Sequence, residues 1–429
     1  SSGFLAKLID WVRGSDVWYE EPASSSRFMF ADVYHGGVTE VGPPSANYPS
    51  QTYAAFAADH AGRKKILYLQ SNAGLLHAID PEDEGKEEWA FIPPNVLGNG
   101  RLLGLKANFA NDGTVELIND VPSVPRYLLD GPLVAEDVLL QGEWRTVLTG
   151  CLGYGGQGIY ALDVTDPDEP VFLWAVENNV VSPDGSSALT YDSRKIHYWK
   201  RNGGLQADYS SFLHSETGEE LGYSDLFRTL STPVVAYTAG VVEEQQDLWE
   251  DRWIVTIGNG HPGQFGENFG EGVVYMIDVE NGEILRKLTV KDSGGINVLK
   301  PVCAPVTGFS RNTASRVLDH VYAGDIVGNV YSWTSSRDNW ESPLQIFQSN
   351  GDDAGITYRM DIGVLGGQPW LFYQTGDMEN LNFSSSGYRL YALNTARASV
   401  GDPLTIEDLD ELSPIQGTST SVNGWYMNF

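Results

Sequence analysis

One short pattern recurs along this 429-residue chain and constrains its fold more than any other feature. An apolar run carrying an aromatic or a histidine ends on a small polar turn residue. LLHAID ends at Asp80, IYALDV contains Asp163, VVYMID ends at Asp278, VYSWT ends at Thr334 and LYALN ends at Asn394. Runs of four to six apolar residues bounded by Gly and Pro indicate buried strands rather than helices. Repetition of one such unit indicates an array of like β-elements. The repeats are spaced by 83, 115, 56 and 60 residues. Against a propeller blade of about 40–50 residues, the first gap fits two blades, the second two blades plus an insertion, and the last two one blade each. The expected fold is therefore all-β: a single, irregular β-propeller of about seven blades. A stack of unrelated small domains is the competing arrangement.

The densest segment is Trp144–Pro170. It places a strand (Arg145–Thr149), a turn containing Gly150, Gly153, Gly155, Gly156 and Gly158, and a second strand (Ile159–Val164) in direct succession. A phosphate cradle would need a helix after the glycines and usually a lysine. Here a strand follows and the turn has no lysine, so the glycines serve positive φ angles and close packing. The wider composition suits many short strands and tight turns, with 47 Gly, 21 Tyr and 12 Trp.

The formal net charge of −30 argues against nucleic acid and anionic membranes as partners, because both are bound through Lys and Arg. No run approaches the ~18–20 apolar residues of a membrane span. The chain starts at Ser1 without a signal sequence, which suggests a processed chain or a fragment. Cys151 and Cys303 are the only cysteines, with no C-x-x-C. They are compatible with one disulfide or with two buried thiols.

Residues 1–30 are expected to form a short amphipathic helix over Phe4–Arg13 and a linker from an upstream domain; the propeller would occupy 31–429. Asp32–Val41 is the expected first strand, and Tyr53–Gly62 a helix over the ring. One long inter-strand insertion, Asn178–Glu220, lacks alternating strand patterns. It contains the most basic stretch of the chain, Lys195–Arg201. Lys195, His197, Tyr198, Trp199, Lys200 and Arg201 are the candidate partner-binding residues, since aromatics and Arg dominate interface hot spots. The alternative, that the aromatics pin the insertion to its own blade, stays open.

No sequence pattern supports a catalytic or metal site. DPEDEGKEE (Asp80–Glu88) resembles the start of a calcium-binding EF-hand loop, but the twelfth position is Phe91 where a bidentate Glu is needed. It is expected to be a solvated hairpin turn. His35 and His77 fall within apolar stretches and are expected to be core or turn residues.

An ordered set of motifs resembles the C-terminal propeller of the PilY-type proteins, tip-associated adhesin and assembly factors of type IV pili. The set comprises DVYHGGV (Asp32–Val38), YLQSNAGLLHAID (Tyr68–Asp80), EWAFIPPNVL (Glu88–Leu97), YLLDGPLVAED (Tyr127–Asp137), WRTVLTGCLGYGGQGIYALDVTDP (Trp144–Pro167), IGNGH (Ile257–His261), VYAGDIVGNVYSW (Val321–Trp333) and GWYMNF (Gly424–Phe429). The resemblance implies a non-enzymatic protein of pilus biogenesis that docks on minor pilins and presents a surface for adhesion to a host or abiotic target. It implies export through the periplasm to the cell surface or pilus tip. No cofactor is expected. The family's calcium loop aligns with Ser310–Asp319, whose one acid and two arginines do not retain it. Two alternatives are a ligand-free assembly scaffold and a quinone-dependent propeller enzyme. The second is suggested by the spacings Asp80…Trp89 and Asp163…Trp174, which resemble that superfamily's docking motifs.

Overall fold

The computed structural model describes residues 9–10, 13, 32–97, 127–180, 194–201, 214–217, 222–244, 248–262, 271–298, 300–310, 317–336, 339–351, 355–376, 388–412 and 421–428, and counts of elements refer to these. They form five sheets. The first holds β1 (Val38–Val41), β2 (Ile66–Ser71), β3 (Leu75–Asp80) and β4 (Lys86–Phe91) in sequential order. Helix α1 (Gln51–Asp59) lies between β1 and β2, and a single turn, α2 (Pro94–Leu97), follows β4. Ser50 caps α1 by accepting the Tyr53 N–H, and Tyr53 and Phe56 are the residues it buries.

The second sheet runs through β5 (Leu133–Leu140), β6 (Glu143–Cys151), β7 (Gly158–Asp163), β8 (Val171–Val180), β9 (Arg194–Lys200) and β10 (His214–Thr217). The third is built from β11 (Val234–Glu244), β12 (Leu248–Gly258), β13 (Val273–Asp278) and β14 (Ile284–Thr289). The fourth contains β15 (Thr307–Phe309); β16 (Val317–Leu318) instead pairs in parallel with β11 of the third sheet. The fourth continues with β17 (His320–Gly324), β18 (Val330–Ser336), β19 (Asn339–Trp340) and β20 (Leu344–Phe347). The fifth holds β21 (Asp361–Leu365), β22 (Gln368–Gln374), β23 (Arg389–Asn394), β24 (Asp410–Leu412) and β25 (Gly424–Asn428).

The five repeated segments are β3, β7, β13, β18 and β23, which is the third strand of the meander in every sheet. The repeat therefore marks one blade each time. About seven blades were expected, and five sheets are described. The first long spacing reads as two blades and the second as two blades plus an insertion. The second is one blade step lengthened by β9 and β10, and the first crosses residues 98–126, outside the described residues. The third strands read as unbroken apolar runs because a neighbouring sheet covers each face: every residue of β7 and β13 is buried.

Four apolar cores join successive sheets. Tyr68 and Leu148 share the core between the first and second, Trp174 and Tyr275 that between the second and third, Val274 and Trp333 that between the third and fourth, and Phe347 and Tyr391 that between the fourth and fifth.

The glycine-rich motifs gather at one end of these sheets. In each meander the start of the first strand lies beside the end of the second, as in Leu133↔Gly150 and Val234↔Thr256. The turn leaving the second strand thus meets the segment that leads into the first. Backbone bonds tie turn to lead-in within a sheet (Asp130 N–H to Leu152 O, 3.1 Å) and between sheets (Gly260 N–H to Val302 O, 2.8 Å; Ile356 N–H to Asp325 O, 3.0 Å). Only glycine fits at this crossing. A Cβ on Gly131 would lie 2.4 Å from Cys151 O, and one on Gly155 would lie 2.2 Å from Leu128 O.

The next connection, from third strand to fourth, holds the other tie between sheets. Trp89 Nε1 donates to Pro167 O at 2.8 Å, and Trp174 Nε1 donates to Val279 O at 2.7 Å. The two tryptophans that suggested a quinone enzyme each dock onto a turn of the following sheet, so packing accounts for their spacing.

Several expectations change. The first strand is only Val38–Val41, because Asp32–Gly37 is a lead-in held by hydrogen bonds. Asn178 does not begin a loose insertion: β8 runs on to Val180, and the Asn178 amide donates to Leu226 O and Ser224 O. Two strands of the insertion, β9 and β10, extend the second sheet. Of the two arrangements left open by the sequence, the structure has two buried thiols: Cys151 Sγ donates to Ser231 O and Cys303 Sγ to Ile356 O. The Asp80–Glu88 segment is a hairpin turn in which Asp80 accepts the N–H groups of Glu82 and Asp83. Of the expected N-terminal helix, only Ile9, Asp10 and Arg13 are described; the rest lies outside the described residues.

Candidate functional site

The lead-ins of the first three sheets bring an aromatic and charged cluster together at the glycine-rich end. His35 and Asp130 are 95 residues apart in sequence. Asp130 accepts both from the His35 backbone N–H (3.2 Å) and from its Nδ1 (2.5 Å). Asp130 is fully buried and its imidazole partner is 24% exposed. Burial pushes the Asp130 carboxyl above the ordinary carboxylate range, and the His35 hydrogen bonds pull it back.

Aromatic rings surround this pair. Tyr34 meets the His35 ring edge-on with centroids 4.1 Å apart, and Tyr154 lies 4.7 Å away on a tilt. Tyr127 is stacked with Tyr34 at 6.2 Å, their planes within 20°. Tyr34 is 64% exposed and Tyr127 41%, so two tyrosine side chains reach solvent beside a partly open imidazole. The Arg228 guanidinium, from the lead-in of the third sheet, lies 5.5 Å over the Tyr154 ring. Large aromatics usually bury their faces, so an exposed pair around a positioned His–Asp unit makes this cluster the candidate site.

Sequence reasoning missed this site. It assigned His35 to an apolar strand, and the signal available was weak: a His before Gly-Gly in DVYHGGV and an Asp before Gly in YLLDG, two motifs that only the fold places in contact. The other histidine so assigned, His77, is indeed fully buried, bonded to Ser71 and Glu87.

The six candidate residues of the insertion divide. Lys195, His197, Tyr198, Trp199 and Lys200 all lie on β9, and Arg201 follows it. Tyr198 and Trp199 are buried, not displayed. The Tyr198 hydroxyl donates to Asn281 O in the turn after β13, and Trp199 packs in the core between the first and second sheets. Lys200 bonds Glu283 in the same turn at 3.2 Å. The strand's aromatics therefore pin it to its own sheet and the next.

Among the described residues no cluster of His, Cys, Asp or Glu could hold a metal. Of the loop Ser310–Asp319, residues 311–316 lie outside the described residues. An open polar cleft of about 680 Å³ borders α1, and two ion pairs lie in its lining, Lys64 with Asp168 at 2.5 Å and Arg145 with Asp163 at 3.6 Å. No helix among the described residues is long and apolar enough to cross a membrane.

Sequential four-strand meanders that pack face to face and are tied by third-to-fourth turns define a β-propeller. Comparison with known proteins is specific within that class. Residues 38–190 match the PilY1 beta-propeller domain. The type IV pilus biogenesis factor PilY1 of Pseudomonas aeruginosa (strain UCBPP-PA14) is 27% identical over 336 residues, which is 76% of this chain and 22% of that protein. A PilY1 homolog from Xylella fastidiosa is 26% identical over 400 residues, covering 89% of this chain and 26% of its own length. The chain thus spans about a quarter of these curated relatives. The crystal structure of the Pseudomonas aeruginosa PilY1 C-terminal domain superposes with a TM-score of 0.58 at 21% identity, covering 91% of this chain and 77% of that one. The match over residues 38–190 is to the same family that the ordered motifs resemble, and the fold is that of the Pseudomonas aeruginosa domain.

Proposed function

We propose that this chain is the propeller of a type IV pilus biogenesis factor: a non-enzymatic, rigid platform that docks on minor pilins at the pilus tip and presents an adhesive surface outside the cell. The observation that carries the reading is the PilY1 beta-propeller match over residues 38–190, joined to relatives named as pilus biogenesis factors. The tied sheets support it, since a platform that transmits contact between a fibre and a target must not deform.

Within this reading, docking involves the β9 region. Tyr198 and Trp199 hold the strand in place, while Lys200 and Arg201, each only partly buried, bring cationic groups to the β9–β10 edge of the second sheet in a chain whose net charge is −30. An acidic partner surface is the complement of that edge. The test is co-elution of the purified chain with the minor pilins of its own pilus system. Stable complex formation is expected, weakened by Lys200→Glu. Failure of every minor pilin to bind, alone or in mixture, would refute the platform reading.

A further inference from the structure

We propose that the exposed tyrosine platform at the glycine-rich end is a carbohydrate site that takes a neutral hexose or N-acetylhexosamine ring of an oligosaccharide. The inference goes beyond the pilus reading and does not depend on it.

A sugar ring has two chemically distinct surfaces. Its axial C–H groups form an apolar face that packs on an aromatic ring, and its equatorial hydroxyls form a hydrogen-bonding edge. The platform offers the complement of both. Tyr34 and Tyr127 are exposed rings stacked with planes within 20° and centroids 6.2 Å apart, an aromatic pair against which the apolar face of a sugar can pack. Between them and Tyr154 stands the His35 imidazole. Its Nδ1 is taken by Asp130, so the buried carboxylate fixes the ring and leaves Nε2 as the edge that meets a ligand hydroxyl.

The platform is preorganised. Asp130 N–H is bonded to Leu152 O, and Gly131 and Gly155 lie backbone against backbone with neighbouring segments. Little ordering entropy is then lost on binding. Charge selects the ligand. The net charge of −30, with Asp32 and Asp130 acting on Tyr127, outweighs the single Arg228 guanidinium over Tyr154 and favours neutral sugars over acidic ones.

The experiment is saturation-transfer NMR on the purified chain with three neutral trisaccharides (cellotriose, chitotriose, mannotriose) and the acidic 3′-sialyllactose. Transfer to at least one neutral trisaccharide is expected, stronger than to sialyllactose. Tyr34→Ala plus Tyr127→Ala should weaken it about tenfold, the effect of losing two ring contacts. His35→Ala should weaken it with both tyrosines intact. Tyr358→Ala, an exposed tyrosine before the fifth sheet, should leave it unchanged and serves as the control. If the double variant loses its fold by circular dichroism, Tyr34→Ala alone, at a 64% exposed side chain, decides the matter. No transfer to any neutral trisaccharide, transfer insensitive to the platform variants, or a preference for sialyllactose would each overturn the proposal. Displacement of the sugar by a proline-rich peptide at lower concentration would reassign the tyrosines to peptide recognition.

Discussion

The junctions between the first and second sheets and between the second and third use the same tie with different completeness. In both, an indole N–H from the fourth strand donates to a carbonyl in the third-to-fourth turn of the next sheet. Trp89 is only partly buried in its seat. Trp174 is fully buried, and its turn is gripped further by Tyr198, Lys200 and Tyr223, whose hydroxyl bonds Gly282 O at 2.8 Å. Tyr198 and Lys200 lie on β9, so the insertion closes the second junction. The lesson is that a segment with the composition of a binding arm here does the work of a clamp: its aromatics are spent on the neighbouring sheets, which leaves Lys200 and Arg201 for the proposed docking and the tyrosine platform for the proposed sugar site.

That contrast can be broken at its strongest point. Trp174→Ala should cost about 3–5 kcal/mol, the range for deleting a buried large aromatic. Trp89→Ala should cost about half as much, because part of its surface is already wet. Denaturant midpoints of the two variants measure this, and equal losses would erase the distinction between the junctions.

Gly282 is the next point of leverage. It has φ +78°, and a Cβ there would stand 2.5 Å from the Trp174 ring. Gly282→Ala should destabilise by about 1–3 kcal/mol through overpacking and backbone strain. A thermal melt unchanged from the parent would show that the seat has slack.

The same turn carries a pH signature. Burial raises the Asp278 carboxyl from its ordinary 3.8 to about 6. A raised folded-state pKa means that the folded chain holds the proton more tightly than the unfolded one. The stabilising contribution is full below about pH 4 and is lost as pH rises through about 6. Asp278→Asn should therefore improve stability relative to the parent at pH 7 more than at pH 4. An equal difference at the two values would show that Asp278 does not titrate in this window.

The smallest expected effect comes from Tyr198→Phe, which removes one hydrogen bond to Asn281 O and should cost about 1 kcal/mol. Loss of pilin binding without loss of stability in this variant would return Tyr198 to the interaction surface and sharpen the division of labour within β9.

The sequence by itself determined the architecture. The apolar runs ending at Asp80, Asp163, Asp278, Thr334 and Asn394 are legible because a strand buried on both faces needs no alternation, and because a turn residue must follow. The glycine turns were legible as turns for the same local reason. The number of blades was not, since spacing alone cannot tell an added blade from extra strands such as β9 and β10. Nor was the role of Tyr198 and Trp199, because composition gives the kind of contact an aromatic makes but not whether its partner is another protein or the adjacent sheet. The His35–Asp130 pair and its tyrosines were decided by tertiary structure alone. Each motif is unremarkable in its own segment, and the site exists only because every sheet brings its lead-in to the same end, where residues 95 apart in the chain come within one hydrogen bond.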